Sequence, residues 1–310
     1  MSLSVFGEVK PPRLLGRGDY LFDGDYHPRN GVNLEPLENL FPLVSALNEM
    51  NRQFVKRGVA LLVVFSPVKT QFLPDQQPKA WLRYPRTPAE PRTADLIATT
   101  LTNLGVPAFD FEPWFESRRA TASAPLFTKG GVHWSTYGAS LAGAELLRCL
   151  AALTKKPFPE LVVTGARPVD TPPDSDADLA DLVNVWDTRR FWSPPMAPVI
   201  EKRMPENGTR ARILIVGTSF VWNLTDLYQR QDVCSELEVW YYARTRVRFV
   251  GSPGTNLGER TPIDLETLDF EAELRRFDAV VLEAPRTNAD KVGFGMPLAA
   301  TRALTGLRGR

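Results

Sequence analysis

Hydrophobic positions recur along this chain at two spacings. From Leu34 to Arg57, residues Leu37, Leu40, Phe41, Val44, Leu47 and Met50 follow one another at steps of three and four. That is the period of one helical face, and Gly58 behind it suits the residue that closes a helix. Val59 to Phe65 is then an unbroken apolar run bounded by Ser66-Pro67, as expected for a strand buried on both faces. Arg92 to Leu104, closed by Gly105, repeats the helical pattern, and Val106 to Asp110 reads as a second short strand weakened by Pro107. Ser135 is placed to cap a helix running to about Thr154. Arg212 to Val216 predicts a third strand, ending in Gly217-Thr218-Ser219, with a helix from about Phe220 to Arg230 behind it. Leu237 to Tyr242 and Ala279 to Leu282 add two strands, separated by a helix at about Leu265 to Arg276. Strands alternating with helices predict an α/β domain around a mostly parallel sheet.

Two proline-rich stretches, 66–91 and 168–208, break this rhythm. The second holds Pro172-Pro173 and Pro194-Pro195 among several aspartates, together with Trp186, Phe191 and Trp192. A disordered linker rarely spends three large aromatics, so this stretch is expected to be a functional insertion in a single 1–310 domain. It is expected to fold beside Ser219 as part of an acceptor groove.

Charge and composition narrow the field. The chain has 310 residues, with 37 Lys+Arg against 36 Asp+Glu for a formal net charge of +1, so it lacks the basic surplus that drives binding to nucleic acid. The longest apolar run, Val59 to Phe65, is far shorter than the ~20 residues of a bilayer-spanning helix, and Met1 to Phe6 shows no signal-peptide pattern, which leaves the compartment open. Two cysteines, Cys149 and Cys234, exclude a disulfide framework and a four-cysteine zinc site. Whether those two pair is left open, because sequence gives no distance. No strand runs into a glycine-rich phosphate loop, so no cofactor is expected.

Two segments carry candidate chemistry. In Arg212-Ile213-Leu214-Ile215-Val216-Gly217-Thr218-Ser219-Phe220 an apolar strand meets a tight turn that would set Ser219 at a helix N-terminus, on the carboxyl edge of the sheet where open α/β folds bind ligands. Free N–H groups there can hold an oxyanion, with Asn223 as a neighbouring donor. An ordinary N-cap would use the same residues. In Gly130-Gly131-Val132-His133-Trp134-Ser135, His133 stands just ahead of a helix; a serine needs a base to take its proton, and imidazole is the usual one. His27, in a turn before Pro28, reads as structural.

Together these segments resemble the SGNH-hydrolase-like domain of the alginate (polysaccharide) O-acetyltransferase family, AlgX/AlgJ-like. Gly18-Asp19-Tyr20-Leu21-Phe22 is similar to that family's opening Gly-x-Trp-Leu-Phe, with Tyr20 for the tryptophan. The Val59–Phe65 strand with Pro67-Val68-Lys69 is similar to its Pro-x-Lys strand end, and His133-Trp134 with Gly138-Ala139 to its His-Trp-x-x-x-Gly-Ala. Gly217-Thr218-Ser219-Phe220 resembles its nucleophile turn, and Glu283 with Arg286 its final Glu-x-x-Arg.

The resemblance implies a flavodoxin-like three-layer sandwich with Ser219 as acyl-accepting nucleophile and His133 as its base, the two within hydrogen-bond reach. It further implies a polysaccharide acceptor, an acyl donor such as a membrane-bound acyltransferase partner, and a periplasmic or cell-envelope setting. The family carries an aspartate two residues before the histidine, where this chain has Gly131. Asp110 and Glu283, each after a predicted strand, are the substitute orienting acids to test; a loop-capping role and a pairing with Arg286 are their structural alternatives. Without such an acid the chain would be a slow enzyme, which Gly131→Asp would speed up, or a catalytically inactive polysaccharide-binding scaffold. Lys69, Trp134, Arg244 and Arg286 are candidates for substrate contact, as are Trp186 and Trp192 for stacking on sugar rings. Surface ion pairs and core aromatics explain the same residues.

Overall fold

The computed structural model describes residues 13–27, 37–81, 92–183, 185–249 and 258–306. The expected start of the first helix at Leu34, the 82–91 part of the first proline-rich stretch and the Met1–Phe6 segment lie outside the described residues.

In chain order the elements are β1 (Arg13–Leu15), β2 (Leu21–Asp23), α1 (Leu37–Lys56), β3 (Ala60–Ser66), α2 (Lys69–Phe72), α3 (Thr93–Asn103), β4 (Ala108–Asp110), α4 (Phe111–Glu116), α5 (Thr136–Thr154), β5 (Glu160–Pro168), β6 (Met196–Arg203), β7 (Ala211–Gly217), α6 (Val221–Arg230), β8 (Cys234–Tyr241), β9 (Thr245–Arg248), β10 (Glu259–Pro262), α7 (Phe270–Leu274), β11 (Ala279–Pro285) and α8 (Met296–Thr305). Seven strands form the central sheet in the order β10-β9-β8-β7-β11-β3-β4. The five from β8 to β4 are parallel, while β9 and β10 extend the sheet antiparallel.

The apolar strands need cover on both sides, and they get it. Leu61, Val63 and Phe65 of β3, with Leu214 and Val216 of β7 and Val280 and Leu282 of β11, belong to one core with α1, α3, α7 and α8. Their neighbours Leu62, Val64, Ile213, Ile215 and Val281 belong to the other, with α5 and α6. The alternation follows from the two-residue period of a strand. The result is the α/β domain around a mostly parallel sheet that the pattern predicts, in the three-layer sandwich form that the resemblance implies.

α3 carries the chain from β3 outward to β4, and α6 carries it from β7 the opposite way to β8. Strand order therefore reverses between β3 and β7, the place where open α/β sheets bind ligands.

Besides adding β1, β2, α2, α4, β9, β10 and α8, which the pattern does not predict, the structure departs from the expected elements at three places. The 168–208 stretch is not loop throughout, because Met196–Arg203 pairs antiparallel with Glu160–Pro168 as a two-stranded ribbon bulged between Val163 and Gly165. The expected helix at Leu265–Arg276 shrinks to Phe270–Leu274. Asp264 takes the N–H of Glu266 and the hydroxyl of Thr267, and Asp269 takes the N–H of Ala272; such side-chain bonds compete with a continuous helix. Strand β8 begins at Cys234 and ends at Tyr241, because Tyr242 and Ala243 turn into β9 at φ of 50° and 52°. Among the described residues no helix is long and apolar enough to cross a membrane. Cys149 and Cys234 are both free thiols.

Candidate active site

Strand β7 ends at Gly217, and the chain turns through Thr218 and Ser219 into α6. A Cβ at Gly217 would stand 2.6 Å from Val221 Cγ1 and 2.7 Å from Glu283 Oε2, so the turn requires glycine for close approach. Glu283, fully buried at the matching point of β11, accepts from the Thr218 N–H at 2.8 Å and the Thr218 hydroxyl at 2.9 Å. Burial pushes its carboxyl above the usual range while the Thr218 donors pull it back.

His133 reaches this turn from the loop ahead of α5. Its Nε2 lies 2.7 Å from Ser219 Oγ. Its Nδ1 lies 2.6 Å from Asp178 Oδ2, and Asp178 Oδ1 accepts from the Val132 N–H at 2.8 Å. Carboxylate, imidazole and hydroxyl thus stand in line, and Phe220 packs edge-on against the imidazole at 4.9 Å between centroids. An Nδ1–H donated to Asp178 leaves Nε2 as acceptor for the serine hydroxyl.

The carboxylate that meets His133 is therefore neither of the two expected. Asp110 ion-pairs with Arg286 and caps α4 through the Glu112 N–H, and Glu283 holds Thr218. Asp178 lies 45 residues beyond the histidine, inside the proline-rich insertion. It is one of several aspartates there, and nothing in the local pattern separates it from Asp174, Asp176 or Asp181.

The insertion is held against the histidine loop by many bonds. Gly130 O accepts from the N–H groups of Leu179 and Ala180 at 2.8 and 3.0 Å. Thr128 donates to the Asp176 carbonyl at 2.6 Å, and Asp176 Oδ1 takes the Thr136 N–H at the start of α5, also at 2.6 Å. Burial raises the Asp176 carboxyl to about 6, against the pull of those donors. Gly131 is the tightest point, since a Cβ there would lie 2.6 Å from the Ser175 carbonyl oxygen and 2.7 Å from Thr128 Oγ1. Gly131 is thus packed under the segment that supplies the acid, and an aspartate has no room there. The expected speeding of the reaction by Gly131→Asp was conditional on no carboxylate reaching His133 Nδ1, and Asp178 removes that condition.

Of the residues expected at substrate, several are in the interior. Lys69 is 3 % exposed and donates from Nζ to the carbonyls of Leu21, Lys129 and Gly131 at 2.7, 2.8 and 2.7 Å; burial pushes its ammonium down to about 7. It ties the β1–β2 hairpin to the histidine loop. Trp134 is fully buried and donates to Phe220 O at 3.1 Å. Arg286 is buried among Asp95, Asp110 and Glu112. Asn223 Nδ2 donates to Trp134 O at 3.1 Å, so its amide holds the histidine loop to α6. His27 packs edge-on against Trp81, as a structural residue would. Trp192 joins a small cluster with Leu21, Leu179 and Phe191, while Trp186 is fully exposed. Arg244, in the turn after β8, is exposed and lines a cavity of about 790 Å³ with Tyr241, Tyr242 and Phe294.

A second cleft, of about 470 Å³, opens between α5, α6 and the β5–β6 ribbon. Thr136, Ser175 and Asn223 line it; they stand three residues after His133, three before Asp178 and four after Ser219. Trp222, Ile200 and Arg167 form its other walls.

Comparison with known proteins places this geometry. No curated protein matches the sequence significantly. Among solved structures the chain is similar to the O-acetyltransferase domain of Pseudomonas putida AlgJ, with a TM-score of 0.55 and 15 % identity over 96 % of this chain and 99 % of that one. It is similar to Pseudomonas aeruginosa AlgX, with a TM-score of 0.53 and 14 % identity over 97 % of this chain and 69 % of that one. It is also similar to Bacillus cereus PatB1, with a TM-score of 0.51 and 9 % identity over 90 % and 97 %. At these identities the likeness shows the fold. Residues 14–244 match the family model of the SGNH hydrolase-like domain of the acetyltransferase AlgX, and the chain belongs to that family.

Proposed function

We propose that the protein transfers an O-acetyl group to a hydroxyl of a polysaccharide through an acyl-enzyme on Ser219. The observation that carries this reading is the line of two short hydrogen bonds, Asp178 to His133 at 2.6 Å and His133 to Ser219 at 2.7 Å. The non-catalytic scaffold reading rested on the aspartate missing at position 131, and Asp178 supplies a carboxylate to the same nitrogen by another route.

In the first half-reaction Ser219 Oγ attacks the acetyl carbonyl of the donor while its proton passes to His133 Nε2. Asp178 holds the ring in the required tautomer and stabilises the imidazolium, remaining ionised throughout. The imidazolium then gives its proton to the leaving group. In the second half, His133 takes the proton of a sugar hydroxyl, whose oxygen attacks the acetyl-serine, and the imidazolium then returns a proton to Ser219 Oγ as it leaves. If water enters instead, the same residues perform ester hydrolysis. The Ser219 N–H, in the turn just ahead of α6, is in this reading the backbone donor to the oxyanion.

We place the acceptor sugar in the cleft between α5, α6 and the ribbon, where Trp222 and Ile200 offer apolar surface and Arg167 and Asp226 offer polar contacts. The test is incubation with an activated acetyl ester, with and without a polysaccharide. Acetyl found on Ser219 by mass spectrometry, then passed to the glycan, supports the reading; turnover unchanged by Ser219→Ala overturns it.

A further inference from the structure

The side-chain donors nearest the nucleophile turn each hold a bond that fixes the turn or its neighbouring loop. Asn223 is bonded to Trp134 O, and Thr218 to Glu283. A further donor arrives from the N-terminal part of the chain. Strand β2 is fixed to the histidine loop by the Leu21 N–H on Lys129 O at 2.9 Å and by Lys69 on Leu21 O. A short turn, Gly24–Tyr26, follows it, capped by Asp23, which accepts the Asp25 N–H at 2.9 Å. The turn delivers Tyr26 to the nucleophile. The Tyr26 ring packs edge-on against Phe220 at 6.0 Å between centroids, Phe220 packs edge-on against His133, and the Tyr26 hydroxyl hydrogen-bonds Ser219.

We propose that Tyr26 is a catalytic residue, the side-chain donor to the oxyanion formed when Ser219 is acylated; this rests on Ser219 being the nucleophile. Burial holds its phenol far above the usual tyrosine value, so the hydroxyl keeps its proton and acts as donor. At rest the Tyr26 hydroxyl is hydrogen-bonded to Ser219, whose Oγ also lies 2.7 Å from His133 Nε2. As the Oγ–carbon bond forms, the carbonyl π pair moves onto oxygen and the serine proton moves to His133. Oγ has then used a lone pair in the new bond, and the full negative charge lies on the oxygen attached to the same carbon. The Tyr26 O–H swings to that oxygen, giving up a hydrogen bond but no proton. When the intermediate collapses, the pair returns to the carbonyl, the leaving group departs with the proton of His133, and Tyr26 returns to Oγ.

The experiment compares wild type, Tyr26→Phe and a chain carrying 3-fluorotyrosine at position 26, using p-nitrophenyl acetate, with mass spectrometry to locate acetyl on Ser219. Tyr26→Phe keeps the ring on Phe220 and removes only the donor. A fall in kcat of about 10²-fold is expected, as for loss of one oxyanion donor, with KM changed by less than about threefold. The fluorinated ring retains both packing and donor, so its kcat is expected to stay within about threefold of wild type. Wild-type protein that acetylates Ser219, with Tyr26→Phe equally fast, overturns the assignment of Tyr26 alone. A loss in the fluorinated chain as large as that in Tyr26→Phe also overturns it, because packing is then the cause. Wild-type protein that never acetylates Ser219 instead sinks the nucleophile reading on which the proposal stands.

Discussion

Two charged clusters sit along the carboxyl edge of the same sheet. Beyond β7, Asp178 and His133 keep 28 % and 16 % of their side chains exposed, and their line of bonds ends on the Ser219 hydroxyl. Beyond β4 and β11, Arg286 is 4 % exposed and its guanidinium is shared among Asp95, Asp110 and Glu112, with Glu112 also bonded to Arg92 at 2.9 Å. Both are built from the residue types that catalysis uses. The difference lies in where the bonds end. In the second cluster each charge terminates on an opposite charge, which leaves nothing to react. In the first, the last group is a neutral hydroxyl whose proton has an acceptor. An ion cluster centred on a buried guanidinium holds segments together, whereas a partly exposed line of bonds that ends on a hydroxyl can do chemistry.

Exchanging roles between the clusters breaks or sharpens this contrast. The largest effect is expected from Asp178→Asn, which keeps a hydrogen-bonding side chain but favours the wrong imidazole tautomer: kcat on an activated acetyl ester should fall about 10⁴-fold. Its Tm should barely move. A loss below tenfold would show that Asp178 is no orienting acid. Arg286→Met should do the opposite, destabilising the fold by about 3–5 kcal/mol because it strands buried carboxylates. Urea unfolding reads the loss, and kcat per folded molecule should hold; a collapse of kcat in fully folded protein would place Arg286 at the substrate after all.

Smaller effects separate neighbours within the insertion. Gly131→Asp should cost about 1–3 kcal/mol by overpacking against the Ser175 carbonyl, with no gain in rate. A faster enzyme would mean that the loop opens to admit a second acid. Asp176, two residues before Asp178, has a folded value of about 6 against 3.8 for the ordinary side chain. A raised carboxyl contributes stability that is complete below about pH 4 and lost as pH rises through 6. The Asp176→Asn side chain cannot ionise, so the variant should gain on wild type between pH 4 and 7 by up to about 3 kcal/mol. Melting curves at pH 4, 5.5 and 7 check the slope, and a constant difference would refute it. The smallest effect is expected from Trp186→Ala, within about 0.5 kcal/mol, since the ring is fully exposed. Glycan affinity measured on the same variant tells whether that ring contacts sugar.

Much of the frame was legible in the residue pattern. The strands at Ala60–Ser66, Ala211–Gly217 and Ala279–Pro285 stand where apolar runs predicted them, and Ser135 caps α5 through the Gly138 N–H at 2.9 Å. These elements follow from local periodicity and capping, which need no knowledge of distant chain. The short hairpins and the β5–β6 ribbon are not legible in the pattern, because strands such as β6, none of whose eight residues is buried and whose apolar start is broken by Pro198, carry no continuous apolar run. Lys69 and Arg286 were expected at substrate because a charged residue's default place is the surface. Only the three carbonyls around Lys69 and the three carboxylates around Arg286 make their burial affordable.

By itself, then, the sequence determined an α/β domain around a mostly parallel sheet and a strand-turn-helix with a serine in its turn, because hydrophobic period and turn chemistry act over a few residues at a time. Tertiary structure decided which acid faces His133. That choice depends on how a proline-rich segment folds back across the sheet edge, and it is made by the Gly130 carbonyl, the Val132 N–H and the Cβ-free space at Gly131, each bonded to or packed against residues 175–180. Hydrogen bonds between segments so far apart leave no periodic trace, since each needs only one donor and one acceptor that loop closure brings together.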